Sequence, residues 1–264
     1  MHNSNRTLKK PRNLERDTLF GMKYLCDPQI IPSVVPLDVA HIESYGTLVA
    51  GYAKWLHVDI DDGRFESETT WPFRQPLQLQ ELDTFRSATS LPAGLFLEAH
   101  LMAYATIELG EKFARAGFKR LTVHREAFDD DDALRAALSA YKSAGAQEVG
   151  LALKIDTPLS SIEEVIDACD FIHLMSIADI GLQGRAFDER ALSRVEELHA
   201  MYPDLMVCVD GGVSEATVEE LVRAGANRLI VGHVLAESPN PEKTYAQIHE
   251  RAMRGCAPLG AVLS

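Results

Sequence analysis

The sequence predicts an α/β fold, a (β/α)8 TIM barrel built as a single domain. Short apolar runs that are rich in β-branched or aromatic residues alternate with amphipathic stretches from residue 29 onward. An Ala-Gly phrase ends three of the amphipathic stretches, at Ala116-Gly117, Ala144-Gly145 and Ala224-Gly225, where glycine suits a helix C-terminus. The chain has 264 residues, and α/β barrels commonly run to about 250 residues.

Eight strands are predicted, at 30–35, 55–60, 94–102, 120–124, 148–153, 171–175, 205–210 and 228–231. The helices predicted between them include 105–116, 131–144, 160–168, 189–201, 213–224 and 242–253. Asp131, Ser160 and Ser214 precede helical patterns and are expected to cap them. No G-x-G-x-x-G motif follows the first strand, which argues against an open dinucleotide-binding sheet.

The expected division is an N-terminal extension over 1–27, a catalytic barrel over 28–256 and a C-terminal tail over 257–264. The extension carries basic residues and little apolar periodicity, so we expect it to be loosely ordered; the alternative is an arm for targeting or partner binding.

The composition excludes some classes of partner. A net charge of −13 argues against binding to nucleic acid or to an anionic membrane surface. No apolar stretch approaches the roughly 18 residues of a membrane span. The four cysteines, which are Cys26, Cys169, Cys208 and Cys256, form no C-x-x-C pair, and we expect all four to be reduced. These thiols and the lack of a visible secretory signal predict a cytoplasmic protein.

Metal-binding residue types stand at the ends of three predicted strands. His57 and Asp59 are two residues apart and therefore share a face, and the same holds for Glu98 and His100. Asp210 ends a third strand. Reactive residues of barrels lie at the C-terminal ends of the strands, so these side chains are expected to meet at one mouth. Two imidazoles and two carboxylates there suit one divalent cation, with Zn²⁺, Fe²⁺, Mn²⁺ and Co²⁺ all acceptable.

Three further residues are expected near that site without a fixed role. Glu98 either orients a metal ligand from below or forms a surface salt bridge. His124 is expected to be structural, and His173 is expected to pack in or near the sixth strand.

Taken in order, several short segments resemble the ribulose-phosphate 3-epimerase family over roughly residues 29 to 256. The segments are Pro32-Ser33, Trp55-Leu56-His57-Val58-Asp59, Glu98-Ala99-His100-Leu101-Met102, Thr122-Val123-His124, Leu174-Met175-Ser176, Gly181-Leu182-Gln183-Gly184-Arg185, Val209-Asp210-Gly211-Gly212 and Val231-Gly232.

The resemblance implies a metal-dependent epimerase that interconverts ribulose 5-phosphate and xylulose 5-phosphate. The implied metal ligands are His57, Asp59, His100 and Asp210. Asp59 and Asp210 are also the implied acid/base pair, which moves a proton from one face to the other through a metal-stabilised enediolate. The implied partner is a small sugar phosphate, and the implied assembly is a homo-oligomer, a dimer or larger.

The resemblance also implies a substrate site. Ser33 would lie at the substrate edge, and Met102 and Met175 would either wall the intermediate or serve only as core. Backbone N–H groups of the glycines in the loops after the sixth, seventh and eighth strands would hold phosphate; these are Gly181, Gly184, Gly211, Gly212 and Gly232. Arg185 and His233 replace a family glutamine and serine, and either could contact an anionic group.

Departures from the family pattern keep other interpretations open. Asp61 stands where the family has a methionine, Arg64 where it often has histidine, and the strand-6 loop is one residue longer and carries Asp179. The alternatives are the same chemistry on another ketose or ketose phosphate, and a drifted, non-catalytic metal-binding module. A same-fold decarboxylase or aldolase ranks low, because Asp59-Ile60-Asp61 has no Asp-x-Lys-x-x-Asp pattern.

Overall fold

The eight predicted strands close into a parallel barrel in the computed structural model, which describes residues 18–19, 22–23, 26–74, 77–104, 107–181 and 183–256. The strands are β1 (Gln29–Val34), β2 (Trp55–Asp61), β3 (Phe96–Met102), β4 (Arg120–His124), β5 (Glu148–Leu153), β6 (Phe171–Met175), β7 (Met206–Asp210) and β8 (Arg228–Val231). Each strand pairs with the next in the chain, and β8 pairs with β1. The predicted fold class is therefore confirmed.

Helices cover the outside of the barrel between most strands. They are α1 (Val39–Val49), α2 (Glu81–Ala88), α3 (Ile107–Ala116), α4 (Asp131–Ala144), α5 (Arg190–Met201), α6 (Val218–Ala224), α7 (His233–Ala236) and α8 (Pro241–Gly255). A separate two-stranded antiparallel ladder joins Thr18–Leu19 to Met22–Lys23 within the predicted extension. The predicted tail, 257–264, lies outside the described residues, and the proposed domain division stays a prediction.

The Ala-Gly phrases end α3, α4 and α6 as predicted. Gly117, Gly145 and Gly225 all have positive φ, at 105°, 122° and 118°, and glycine adopts this left-handed conformation without the steric cost that a Cβ brings. The start of α4 differs by one residue from the prediction. Asp130 rather than Asp131 is the cap, and its carboxylate accepts from the Ala133 N–H at 2.7 Å.

The predicted helix 160–168 is wrong. Two 3₁₀ turns, Leu159–Ile162 and Ile166–Ala168, connect β5 to β6 instead. The Ser161 hydroxyl donates to the Pro158 carbonyl oxygen at 2.7 Å, and such local bonds from serine compete with continuous helix.

Ion pairs between inward-facing side chains close the N-terminal end of the barrel; Glu98, Arg120 and Arg228 are buried, and Glu148 is partly buried. Arg120 donates to Glu98 at 3.1 Å and lies 3.4 Å from Glu148, which accepts from Arg228 at 2.6 Å. The Arg120 guanidinium also stacks 3.5 Å from the centre of the Trp55 ring. Because a buried charge is costly without partners, this network fixes the side chains that support the residues above it.

The prediction that all four cysteines are reduced is wrong for two of them. Cys26 and Cys256 form a disulfide across 230 positions of the chain, whereas Cys169 and Cys208 are free. Spacing rules detect pairs that are near in sequence, but closing the barrel brings the start of β1 beside the end of α8. The expected cytoplasmic location was based partly on four reduced cysteines, and the disulfide removes that argument. The location therefore stays a prediction. Within the described part of the chain, no helix is long and apolar enough to cross a bilayer.

Asp61, at the end of β2, is a buried carboxylate that lacks hydrogen-bond partners. Its side chain is fully buried, and neither oxygen is hydrogen-bonded to any of the described residues. Burial, together with the negative charge of Asp59, raises the pKa of Asp61 to about 8. The folded protein therefore retains a proton at Asp61 over a pH range in which the unfolded chain has lost it.

We expect the Cys26–Cys256 cross-link to contribute substantially to stability. A loop of 230 residues corresponds to about 5 kcal/mol in the chain-entropy treatment. Urea unfolding of the wild type should show a clear loss of stability on adding dithiothreitol, and Cys26→Ser should show the same loss without it. The matched control is Cys169→Ser, which should respond to dithiothreitol as the wild type does. Four alkylatable thiols in the non-reduced, unfolded protein would contradict the cross-link.

We expect Asp61→Asn to stabilise the chelator-treated protein more at pH 8 than at pH 5. Between the unfolded pKa near 4 and the folded pKa of about 8, the folded state holds one proton more, so wild-type stability falls as pH rises. The slope is at most about 1.4 kcal/mol for each pH unit. Urea unfolding at both pH values measures the effect, with the exposed acid Asp179 changed to Asn as control. An equal effect of Asp61→Asn at both pH values would contradict the assignment.

Candidate active site

A cavity of about 200 Å³ opens at the C-terminal ends of the strands. The side chains that end β1, β2, β3, β6 and β7 reach it, and the loops after β6, β7 and β8 complete its wall. Its lining includes Asp59, Asp210 and all ten residues predicted to bind substrate, which are Ser33, Met102, Met175, Gly181, Gly184, Arg185, Gly211, Gly212, Gly232 and His233.

The four predicted metal ligands meet below this cavity. Asp59 Oδ1 lies 3.3 Å from both His57 Nε2 and His100 Nδ1. Asp210 Oδ2 lies 3.7 Å from His57 Nε2 and 3.5 Å from His100 Nδ1. Strand register explains part of this convergence, since Asp59 and His100 are direct neighbours on β2 and β3. Asp210 approaches them from β7, on another part of the barrel wall.

Glu98 is buried and orients His57, so the surface salt bridge considered from the sequence does not occur. Glu98 Oε1 lies 2.7 Å from His57 Nδ1, and its other oxygen accepts from Arg120. Burial opposes ionisation, but His57 and Arg120 lower the pKa of Glu98 to about 2. An ionised carboxylate only accepts, so Nδ1 of His57 donates to Glu98, and Nε2 is the nitrogen that faces Asp59 and Asp210.

A second relay orients His100. His124 Nδ1 lies 3.1 Å from Glu126 Oε2, and His124 Nε2 lies 2.8 Å from His100 Nε2. Burial opposes ionisation of Glu126, but its hydrogen bond with His124 lowers its pKa to about 2. Glu126 therefore accepts from His124, and His124 accepts from His100 Nε2. This leaves Nδ1 as the nitrogen of His100 that faces the two aspartates, where it can donate a proton to them or, when deprotonated, bind a cation. Nothing in the sequence indicated this role for His124.

The electrostatics at the meeting point suit a cation. Burial lowers the pKa of His57, but the negative charges of Asp59 and Glu98 outweigh it and raise that pKa well above the usual value. Burial raises the pKa of Asp210, but hydrogen bonds from His100 and His173 outweigh it and lower that pKa. The same carboxylates that favour a proton on His57 would favour a divalent cation in its place.

The donor geometry fits one metal ion. His57 Nε2 is buried and has no hydrogen-bond partner in the described part of the chain. Four ligands at about 2.1 Å from a tetrahedral metal are separated from one another by about 3.4 Å. The separations between histidine nitrogen and carboxylate oxygen given above run from 3.3 to 3.7 Å. Imidazole nitrogen and carboxylate oxygen together are ligands that divalent transition metals accept.

His173 also belongs to this cluster, although the sequence indicated only packing near β6. Its Nε2 lies 3.1 Å from Asp210 Oδ2, and donor atoms of His57, His100, His173 and Asp210 all lie within 4.8 Å of one another. The signal was present in the alternation of β6, because His173 is two residues before Met175 and faces the barrel interior with it.

The segment after β6 covers part of the mouth. Met102, Met175, Ile177 and Ile180 form one buried apolar cluster, and Gln183 Nε2 donates to Ser33 Oγ at 3.2 Å. Gln183 lines the cavity, and the sequence did not identify it as a site residue. This arrangement combines an apolar wall with polar groups on the opposite side.

The predicted phosphate end is built from tight backbone. Gly184 and Gly212 have positive φ, at 78° and 64°. A Cβ on Gly212 would lie 2.7 Å from the Phe187 backbone, and a Cβ on Gly184 would lie 3.4 Å from the His233 ring. At position 212 glycine is therefore required for the β6 and β7 loops to approach each other, whereas at position 184 only the positive φ favours glycine. Arg185 and His233 are exposed and supply the positive and polar side chains of this end.

Comparisons with known proteins agree with the sequence pattern. The sequence model of the "Ribulose-phosphate 3 epimerase family" matches residues 29–236. A ribulose-phosphate 3-epimerase of Mycobacterium leprae is 28% identical over 229 residues, covering 85% of this chain and 95% of that protein. A ribulose-phosphate 3-epimerase of Aquifex aeolicus is 32% identical over 208 residues, covering 77% of this chain and 87% of that protein.

Solved structures with the same fold are more distant in sequence. 3-Hexulose-6-phosphate synthase from Salmonella typhimurium is 14% identical with a TM-score of 0.65, covering 86% of this chain and 99% of that one. 3-Keto-L-gulonate-6-phosphate decarboxylase from Vibrio cholerae is 16% identical with a TM-score of 0.62, covering 86% of this chain and 98% of that one. At these identities the likeness concerns the barrel fold alone. The family match over most of the chain confirms the predicted isomerase class: this chain belongs to the ribulose-phosphate 3-epimerase family.

Proposed function

We propose that this protein is a metal-dependent epimerase that interconverts ribulose 5-phosphate and xylulose 5-phosphate at C3. The observation that carries the proposal is the pair of carboxylates, Asp59 and Asp210, which line one cavity from β2 and β7. Two further strands, β8 and β1, separate β2 from β7 in the closed barrel. The carboxylates can therefore reach a bound substrate from two directions.

Inversion next to a ketone needs two proton-transfer groups on opposite faces of a planar intermediate. In the proposed reaction one aspartate takes the C3 proton and becomes a carboxylic acid. The other aspartate, initially protonated, delivers its proton to the opposite face and becomes a carboxylate. The configuration of the substrate decides which aspartate begins as the base.

His57, Asp59, His100 and Asp210 are the residues proposed to hold the metal. A divalent cation bound there supplies Lewis-acid polarisation of the substrate carbonyl, which makes the neighbouring C–H more acidic. Glu98 and the His124–Glu126 pair keep the two imidazole lone pairs directed at the site, since each fixes one tautomer.

The remaining walls are proposed to position the substrate and exclude water. Met102, Met175 and Ile177 present an apolar surface beside the two aspartates, and water excluded there cannot reprotonate the intermediate without control. The glycine backbone of the β6, β7 and β8 loops, with Arg185 and His233, is proposed to receive the phosphate.

The chemistry of the site also admits another ketose or ketose phosphate. Arg185, which lines the cavity, replaces a glutamine of the family pattern, so this end of the cavity differs from the one expected for a pentulose phosphate. A homo-oligomer, a cytoplasmic location and the identity of the ion remain predictions. A non-catalytic module is less well supported, since a binding site needs no pair of opposed carboxylates.

Exchange of the substrate hydrogen with solvent tests the two-base mechanism. We expect Asp59→Asn and Asp210→Asn each to lower turnover of D-ribulose 5-phosphate by about 10²- to 10⁴-fold. In D₂O, each variant should still exchange the C3 hydrogen of one epimer but not of the other, because each aspartate serves one face. Mass spectrometry of both epimers measures this.

The exposed acid Asp204, which lies between α5 and the start of β7 and away from the cavity, is changed to Asn as the matched control and should keep full activity. The metal content of each variant must be measured alongside, since both aspartates are also proposed ligands. Metal-loaded wild type that exchanges no hydrogen from any ketose or ketose phosphate tested would favour a binding module. Exchange that persists for both epimers in both variants would exclude these two aspartates as the bases.

Arg185→Ala tests the phosphate end. We expect KM for the phosphorylated substrate to rise about tenfold with little change in kcat, because a charge-assisted hydrogen bond remote from C3 stabilises substrate and transition state alike. Steady-state kinetics measure the effect, and the exposed Arg254 on α8, changed to Ala, is the control. An unchanged KM would show that Arg185 does not contact the anion.

A further inference from the structure

His173 is a buried group that the proposed mechanism does not use. Its side chain is 1% exposed and projects into the barrel from β6. Its ring lies 4.5 Å from the His100 ring and 5.5 Å from the His57 ring, measured between centroids. Burying three imidazoles this close together in a barrel interior, with two carboxylates beside them, costs free energy. A ligand bound between them would offset that cost.

The donor atoms place His173 at the same point as the expected ligands. Its Nε2 lies 3.1 Å from Asp210 Oδ2, close to the 3.3 Å that separates Asp59 Oδ1 from the nitrogens of His57 and His100. One donor atom from each of His57, His100, His173 and Asp210 falls within 4.8 Å of the other three. These four residues therefore form one group that could hold a metal ion.

We propose that His173 is a direct ligand of the active-site metal, through Nε2, so that the ion is held by three imidazoles and by carboxylate. This inference shares one premise with the proposed function, namely that a metal binds at this site. It narrows the choice of ion, because a third imidazole favours Zn²⁺, Co²⁺ or Fe²⁺ over the oxygen-preferring Mn²⁺.

A simpler role for His173 is to donate a hydrogen bond to Asp210 and hold that carboxylate in place. Two substitutions separate the roles. His173→Gln retains an N–H donor of similar reach but removes the imidazole ligand, and His173→Leu removes both. If His173 only positions Asp210, Gln should restore the metal affinity that Leu loses. If His173 binds the metal, neither variant should retain the affinity of the wild type.

The first measurement is metal binding to the chelator-treated full chain, with Zn²⁺ and Co²⁺ as probes and no substrate present. Loss of a group that only supports a ligand costs about 10- to 100-fold in affinity, so we expect both variants to lose more than about 100-fold. The second is X-ray absorption at the zinc edge, which should count three imidazoles in the wild type and two in His173→Leu. The absorption spectrum of bound Co²⁺ should also differ between the wild type and His173→Leu.

Cys208 provides the matched control, since it is buried in the barrel interior and is the register partner of His173 on β7. Cys208→Ala should disturb packing without changing the number of imidazoles. Thermal unfolding monitored by circular dichroism identifies any variant that fails to fold, and the imidazole count of the wild type remains decisive in that case.

Two imidazoles in the wild type, or full affinity in His173→Gln, would overturn the proposal. A wild type that binds neither ion would overturn it as well. Three imidazoles in a protein that fails to epimerise ribulose 5-phosphate would support ligation by His173 and would count only against the proposed function.

Discussion

Most polar side chains that face the inside of the closed barrel are buried, so they depend on one another for hydrogen-bond partners. This constraint organises the molecule from floor to mouth. Arg228 pairs with Glu148, Arg120 lies between Glu148 and Glu98, and Glu98 holds His57. At the N-terminal end of the barrel this network consists of ion pairs between strands. At its other end, Glu98 accepts a hydrogen bond from Nδ1 of His57 and so orients the ring toward the cavity. Structure and chemistry therefore share the same buried charges.

The same constraint explains why His57 and His100 are both oriented toward Asp59 and Asp210. His57 and His100 each use one nitrogen on a carboxylate-linked relay, and each leaves the other nitrogen facing Asp59 and Asp210. Neutral partners could have filled this space more cheaply, since burial of a charge is costly. Two carboxylates that line one cavity and lie beside the same two imidazole nitrogens are an arrangement suited to holding a cation.

Much of the fold and half of the site follow from local sequence patterns. The strands β4, β5, β6 and β8 and the helix α4 occupy the predicted residues, because their alternation and capping signals are local. His57 with Asp59, and Glu98 with His100, were predictable as pairs because the strand period is two residues. The helix predicted over 160–168 was wrong. The Ser161 hydroxyl bonds to the nearby Pro158 carbonyl instead, and a periodic pattern does not register such competition with a continuous helix.

What the sequence determined by itself is the set of inward-facing groups on each strand and the family to which the chain belongs. Which of those groups meet was decided by the closed barrel. His173 joins the buried cluster of His57, His100 and Asp210 because β6 curves round to face β2 and β3, and Cys26 reaches Cys256 because the ends of the barrel adjoin. Barrel closure also places the Asp61 carboxylate against Gly181 in the segment after β6, where neither oxygen has a hydrogen-bond partner among the described residues. Such contacts join residues far apart in the chain, so they depend on barrel closure and leave no periodic trace in the sequence.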